Sequence, residues 1–201
     1  MKIILNLIAA QMQECLWQEG WFGKGLQCPP NYIAHGLCGS GMFADCGRAV
    51  VYNKLKCCRI SATITPQCVP KGSFYPGMSI ECPTGTAVTA SCGSGSKSDC
   101  PAGRFGKMPY WFSCCGISKD HVVTSECTWS YAQFGESVEC RRDQVMAGMC
   151  GSLQNPKCPW RSSHGIRCCK FKRNHWRRQK ENDWHFVIGA VIPNCCKWLN
   201  I

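Results

Sequence analysis

Apolar and polar positions along this chain fall in short runs broken by glycine, proline and serine. Tyr32-Ile33-Ala34 and Val50-Val51-Tyr52 are examples, rich in the β-branched and aromatic residues that suit a pleated, half-buried strand. Between residues 15 and 169 no segment holds a helical apolar period for three turns. Helix is therefore expected to fill less than about a tenth of that span. The pattern predicts an all-β protein of short strands and tight turns.

Cysteines punctuate the runs at a fixed beat. They stand at Cys15, Cys28, Cys38, Cys46, Cys57 and Cys58; at Cys68, Cys82, Cys92, Cys100, Cys114 and Cys115; and at Cys127, Cys140, Cys150, Cys158, Cys168 and Cys169. In each set the second-to-third gap is ten residues, the third-to-fourth gap is eight, and the set closes on an adjacent pair. Equivalent cysteines recur every 53 to 59 residues, the signature of an internal repeat. Three copies follow: residues 11–60, 61–117 and 118–170, with a leader at 1–10 and a tail at 171–201.

The residues between the cysteines repeat as well. Trp17, Pro70 and Trp129 each stand two positions after the first cysteine of a copy. An aromatic residue or proline then precedes glycine in Phe22-Gly23, Pro76-Gly77 and Phe134-Gly135. Leu26, Ile80 and Val138 each lie two positions before the second cysteine. The third cysteine opens Cys38-Gly39-Ser40, Cys92-Gly93-Ser94 and Cys150-Gly151-Ser152, which is loop chemistry. The first two copies extend this to a second glycine and an aspartate before the next cysteine, ending at Asp45-Cys46 and Asp99-Cys100; the third has Leu153 and Lys157 there.

Adjacent cysteines on a strand point to opposite faces, so each pair can bridge in two directions. Cys38–Cys46, Cys92–Cys100 and Cys150–Cys158 are expected as local loop staples. The second cysteine of each copy is expected to join one member of its closing pair, and the first cysteine the other. Nine such bonds, each contributing roughly 2–4 kcal/mol, would supply much of the stability of units this small.

Twenty cysteines in 201 residues is the density of scaffolds made in an oxidising compartment. The chain has no Cys-x-x-Cys and no His/Cys cluster at zinc spacing, so no metal or cofactor is expected. Met1-Lys2 followed by Ile3 to Ala10 reads as a short signal peptide, and secretion is the expectation. No apolar stretch is long enough to be expected to cross a bilayer as a helix.

The formal charge of +11 favours polyanions, acidic glycans, mineral or anionic membranes as partners. Seven Lys/Arg against Glu181 and Asp183 put +5 of it beyond residue 169, where Lys170 to Lys180 interleaves basic and aromatic residues. The remaining basic groups are scattered, among them Lys54, Lys56 and Arg59, then Lys97, Arg104 and Lys107, then Arg141, Arg142, Arg161 and Arg167. Such scatter predicts binding through a summed field that salt weakens. Nucleic acid is not an expected partner of a secreted chain.

The segments Trp21-Phe22-Gly23, Cys28-Pro29, Tyr32-Ile33-Ala34-His35-Gly36 and Asn53-Lys54-Leu55-Lys56-Cys57-Cys58 resemble the repeat of the vitelline membrane outer layer protein family. The resemblance spans residues 15 to 169 and departs from the family in its Cys-Gly-Ser-Gly loops and cysteine density. It implies three Greek-key-like sheets around a pseudo-threefold axis, a β-prism. The chain also resembles cysteine-rich invertebrate matrix proteins, such as those of the organic filament of sponge silica. That likeness implies a structural part of an extracellular coat or biomineral matrix, with other coat proteins, a filament enzyme or silica as partners. A carbohydrate-binding module, since prism folds often display sugar-binding loops, and a membrane-active defence protein are the other readings.

A catalytic site is built once, from residues that break a repeat. The histidines at 35, 121, 164, 175 and 185 occupy no equivalent positions and accompany no nucleophile with an orienting acid. The expectation is a protein that is not an enzyme. Asp45 and Asp99 read as turn-stabilising residues rather than calcium ligands. Trp17, Trp129, Phe22 and Phe134 recur, which favours core packing over a sugar platform. The non-repeating Tyr110, Trp111 and Trp160 are the better recognition candidates. No Asn-x-Ser/Thr acceptor is present, so no N-glycan is expected.

Overall fold

A computed structural model describes residues 14–21, 24–38, 52–73, 79–92, 110–118, 121–133, 135–150 and 163–173. Among them are twelve β-strands and no helix. The first copy supplies β1 (Cys15–Trp21), β2 (Gly25–Gln27), β3 (Tyr32–Cys38) and β4 (Tyr52–Arg59). The second supplies β5 (Ile64–Ser73), β6 (Ser79–Glu81), β7 (Thr86–Cys92) and β8 (Tyr110–Ile117). The third supplies β9 (His121–Gln133), β10 (Ser137–Glu139), β11 (Gln144–Cys150) and β12 (Ser163–Arg173).

The strands form three four-stranded sheets, ordered β1-β4-β3-β10, β5-β8-β7-β2 and β9-β12-β11-β6. Every described pairing is antiparallel. Each sheet takes three strands from one copy and a three-residue strand from another. The first copy gives β2 to the second sheet, the second gives β6 to the third, and the third gives β10 to the first. The exchange is cyclic, so no copy completes a sheet from its own strands. This differs from one sheet per repeat. The crossing strand carries one buried residue, Leu26, Ile80 or Val138, between exposed or half-buried neighbours.

A tight turn after each crossing strand sends the chain back. Tyr32 donates its N–H to Pro29, Thr86 to Pro83 and Gln144 to Arg141, closing a four-residue turn in each copy. Asn31 and Gly85, at the third position of two of these turns, have φ of 66° and 84°, a region open to glycine and tolerated by asparagine. Gly135 enters β10 with φ of 92°, which explains the aromatic-glycine step in the third copy; its counterparts Gly23 and Gly77 lie outside the described residues.

The inward faces share one core. Ile33, Leu55, Val88, Phe112, Val145, Met146 and Ile166 are fully buried, with representatives from every copy. Burial of one such side chain contributes roughly 1.5–3 kcal/mol.

Six disulfides lie wholly among the described residues. Cys15–Cys58, Cys68–Cys115 and Cys127–Cys169 join directly opposed residues on neighbouring strands of one sheet, with Cα atoms 4.0, 4.1 and 4.0 Å apart. Cys28–Cys57, Cys82–Cys114 and Cys140–Cys168 instead run from the end of a crossing strand back to the donor copy's own sheet. Cys38, Cys92 and Cys150 are also disulfide-bonded; Cys46, Cys100 and Cys158, the partners expected for them, lie outside the described residues. So do the leader, most of the basic tail, and Asp45 and Asp99.

Candidate functional site

A bulge in the third strand of each copy receives the crossing strand. The pairing register slips between Ala34 and Gly36, between Val88 and Ala90, and between Met146 and Gly148. His35, Thr89 and Ala147 are the extra residues, and a bulge of this kind re-aims local backbone groups. Their carbonyls accept the N–H groups of Cys140, Cys28 and Cys82, each at 2.8 Å. Each crossing segment is thus hydrogen-bonded to the receiving sheet and covalently riveted to the sheet it left.

Beside the bulge a row of four residues spans each sheet. In the first sheet it runs Trp17, Lys56, Gly36, Glu139. In the third it runs Trp129, Arg167, Gly148, Glu81. Lys56 pairs with Glu139 at 2.6 Å, and Arg167 with Glu81 at 2.6 Å, each reaching across the glycine. A Cβ on Gly36 would stand 2.8 Å from the Val138 carbonyl oxygen, and one on Gly148 would stand 2.7 Å from that of Ile80. The second sheet has Pro70, Ser113, Ala90 and Gln27 in the same row, with neither charge nor glycine.

These rows face outward. Leu55 and Cys57 on β4, and Ile166 and Cys168 on β12, are fully buried, while the intervening Lys56 and Arg167 are half-buried. Trp17 and Trp129 lie opposite those cations and are only half-buried. This corrects the core assignment drawn from their recurrence: they belong to the outer face. Phe22 and Phe134 lie outside the described residues.

The two tryptophans have different surroundings. The Lys56 ammonium stands 5.6 Å from the Trp17 ring centroid, a cation–ring contact that covers that face. Among the described residues no cation stands over Trp129. Its ring stacks with that of Tyr131 instead, centroids 6.3 Å apart and planes within 13° of parallel. Tyr131 in turn occupies the space above Gly165, where a Cβ would meet ring carbons at 2.6 and 2.7 Å. Tyr131 keeps 37% of its surface exposed.

Of the other recognition candidates, Trp111 is half-buried on β8 opposite Gly72 and Cys92, and Tyr110 pairs with Ser73 at the start of β8. Trp160 lies outside the described residues. The basic groups are less free than their number suggests. Lys54 pairs with Glu19, Lys56 with Glu139, Arg167 with Glu81, and Lys170 and Lys172 with Glu126. The hydrogen bonds from Lys170 and then Lys172 hold the Glu126 carboxyl down at about 2.

Two histidines brace the crossing strand β10. His35 is 6% exposed and His164 4%. The Nε2 of His35 lies 3.1 Å from the carbonyl oxygen of Arg141 and donates to it. Burial pushes both imidazoles below their ordinary 6.5. The Arg141 carbonyl opposes the shift at His35, as does the Glu139 carboxylate, while Lys56 adds to it. The backbone of Glu136 and Leu37 and the Glu136 carboxylate oppose it at His164. His121 stacks on Phe171 with centroids 5.1 Å apart.

Among the described residues no group of three or more His, Cys, Asp or Glu is arranged to hold a metal ion. Neither a protein-family model, a curated protein nor a solved structure matches this chain.

Proposed function

We propose that this protein is a secreted structural component of an extracellular coat or matrix, a biomineral or filament matrix included, and performs no catalysis. In this reading the three sheets surround a pseudo-threefold axis as a β-prism-like unit, and the partners are other coat proteins, a filament enzyme or silica. The carrying observation is the cyclic exchange, in which β2, β6 and β10 are each hydrogen-bonded to the next sheet and tied back by Cys28–Cys57, Cys82–Cys114 or Cys140–Cys168. A crossing strand that opens from the receiving sheet stays tethered to its own sheet by the disulfide, which limits its excursion and suits a part that bears load outside the cell. The disulfide content suits an oxidising compartment.

Sequential extraction of the native material tests this. The protein should stay with the insoluble extracellular fraction through detergent and leave only with strong denaturant. Recovery in the freely soluble secreted fraction would contradict the reading.

A further inference from the structure

The long edge of the third sheet is unlike the other two. Each sheet ends on one side in a three-residue crossing strand and on the other in a longer strand, β1, β5 or β9. An open edge offers unpaired N–H and C=O groups to another strand, and proteins blunt it with short strands, charges or proline. The disulfides reveal which residues face that way. Cα atoms about 4.5 Å apart mark an antiparallel pair that exchanges no backbone bonds, against about 5.5 Å for one that does. Cys15–Cys58, Cys68–Cys115 and Cys127–Cys169, at 4.0, 4.1 and 4.0 Å, are of the first kind. The backbone groups of Cys15, Cys68 and Cys127, and of alternate residues after them, therefore face the edge.

In β1 this puts the charged Glu19 at an edge-facing position. In β5 it puts Pro70 there, which has no N–H to give. In β9 the edge-facing residues are Cys127, Trp129, Tyr131 and Gln133. Gln133 is occupied: its N–H donates to the Glu136 carboxylate at 3.2 Å and its carbonyl accepts the Glu136 N–H at 3.1 Å. Before Cys127 the register slips, with Thr124 to Glu126 set against Lys170. Cys127, Trp129 and Tyr131 are left, and among the described residues their edge-facing backbone groups are unpaired. Residues 127–131 include no proline, glycine or charge.

We propose that this edge pairs with the same edge of a second copy of the chain, antiparallel, about a two-fold axis at Trp129. Cys127, Trp129 and Tyr131 of one copy then oppose Tyr131, Trp129 and Cys127 of the other, and each opposed pair exchanges both its N–H···O bonds. The occupant follows from the segment itself. Trp129 is its middle residue, so the open groups match their own antiparallel image in number and spacing. The span carries no charge, so like charges are not brought together. The two Trp129 side chains meet across the axis as a cross-strand aromatic pair, next to Tyr131, which is 37% exposed in the single chain. A soluble protein could dimerise in this way and a coat protein could lack the contact, so this proposal and the coat reading fail separately.

Sedimentation velocity of the full chain over a concentration series tests it, with amide hydrogen exchange on the same samples. The mass should rise from one chain to two as concentration increases. The Trp129 and Tyr131 amides should exchange about tenfold or more slowly in the concentrated sample than in the dilute one, a readout independent of any variant's folding. Trp129→Pro installs what β5 has at the equivalent position, Pro70. It removes an edge-facing N–H and no bond to β12, so the chain should fold and remain single at every concentration. Trp17→Pro, the same change on β1, should leave the dimer intact. A single chain throughout the series, equal exchange in both samples, or a dimer that persists in Trp129→Pro would each overturn the proposal.

Discussion

The Nε2 of His35 donates to the carbonyl oxygen of Arg141 at 3.1 Å, joining the bulge of the first sheet to the turn that follows the third copy's crossing strand. The His35 backbone carbonyl accepts the Cys140 N–H at the same seam. His164 lies on β12 and is buried, at 4% exposure. Thr89 and Ala147 hold the place of His35 in the other copies, so this bracing by histidine belongs to one seam of three.

That seam should be sensitive to acid. Both imidazoles have folded-state values below their ordinary 6.5, so the unfolded chain binds more protons than the folded one as pH drops beneath that value. Their contribution is fully present above 6.5 and is lost as pH falls through the lowered values. Glu126, held at about 2, adds a smaller loss further down, because it is exposed and screened. Thermal melting followed from about pH 8 to about pH 4 should show Tm declining from near the free-histidine value. The double variant His35→Gln, His164→Gln should flatten that decline; an unchanged slope would refute the assignment.

The glycines in the charged rows are spacers. Gly36→Ala and Gly148→Ala should each destabilise by about 1–3 kcal/mol, since the new methyl meets a backbone carbonyl that cannot step aside. Ala90→Gly at the matching position should cost no more than about 1 kcal/mol. Denaturant midpoints of the three variants measure the difference, and similar losses at all three positions would show that the rows do not matter.

How much of this was legible beforehand depended on range. The short β-branched runs and the missing helical period announced an all-β chain, and Tyr32-Ile33-Ala34 opens β3, because strand alternation is a local property; Val50 and Val51 lie outside the described residues. Leu26, Ile80 and Val138 stood out as recurring apolar residues, and each is the buried residue of a crossing strand. Which sheet received that strand was not legible, because a three-residue strand carries no signal of its distant hydrogen-bond partner. The bulges at His35, Thr89 and Ala147 were hidden for the same reason. Trp17 and Trp129 misled because recurrence looks alike for a core residue and for an outward one. The discriminating signal was available across strands: each opposes a cation, Lys56 or Arg167, that a core would not accept unpaired.

The two classes of disulfide should separate in hydrogen exchange. Removing Cys140–Cys168 with a paired Ala substitution should destabilise by about 2–5 kcal/mol. It should also release β10, so exchange should accelerate in β3 of the first sheet as well as in β10. Removing Cys127–Cys169, which lies within one sheet, should leave the protection of β3 largely intact. Loss confined to the third copy in both variants would contradict the riveting role of the crossing cysteines.

The most direct test of the whole account is the oxidation state and linkage of the native protein, read by peptide mapping under non-reducing conditions after thiols are blocked. The account predicts no blocked thiol at the twelve cysteines of the six described bonds. It predicts Cys28–Cys57, Cys82–Cys114 and Cys140–Cys168 as the crossing rivets, beside Cys15–Cys58, Cys68–Cys115 and Cys127–Cys169 within sheets. Free thiols at these positions, or a majority of links between different copies, would contradict both the scaffold and its extracellular setting.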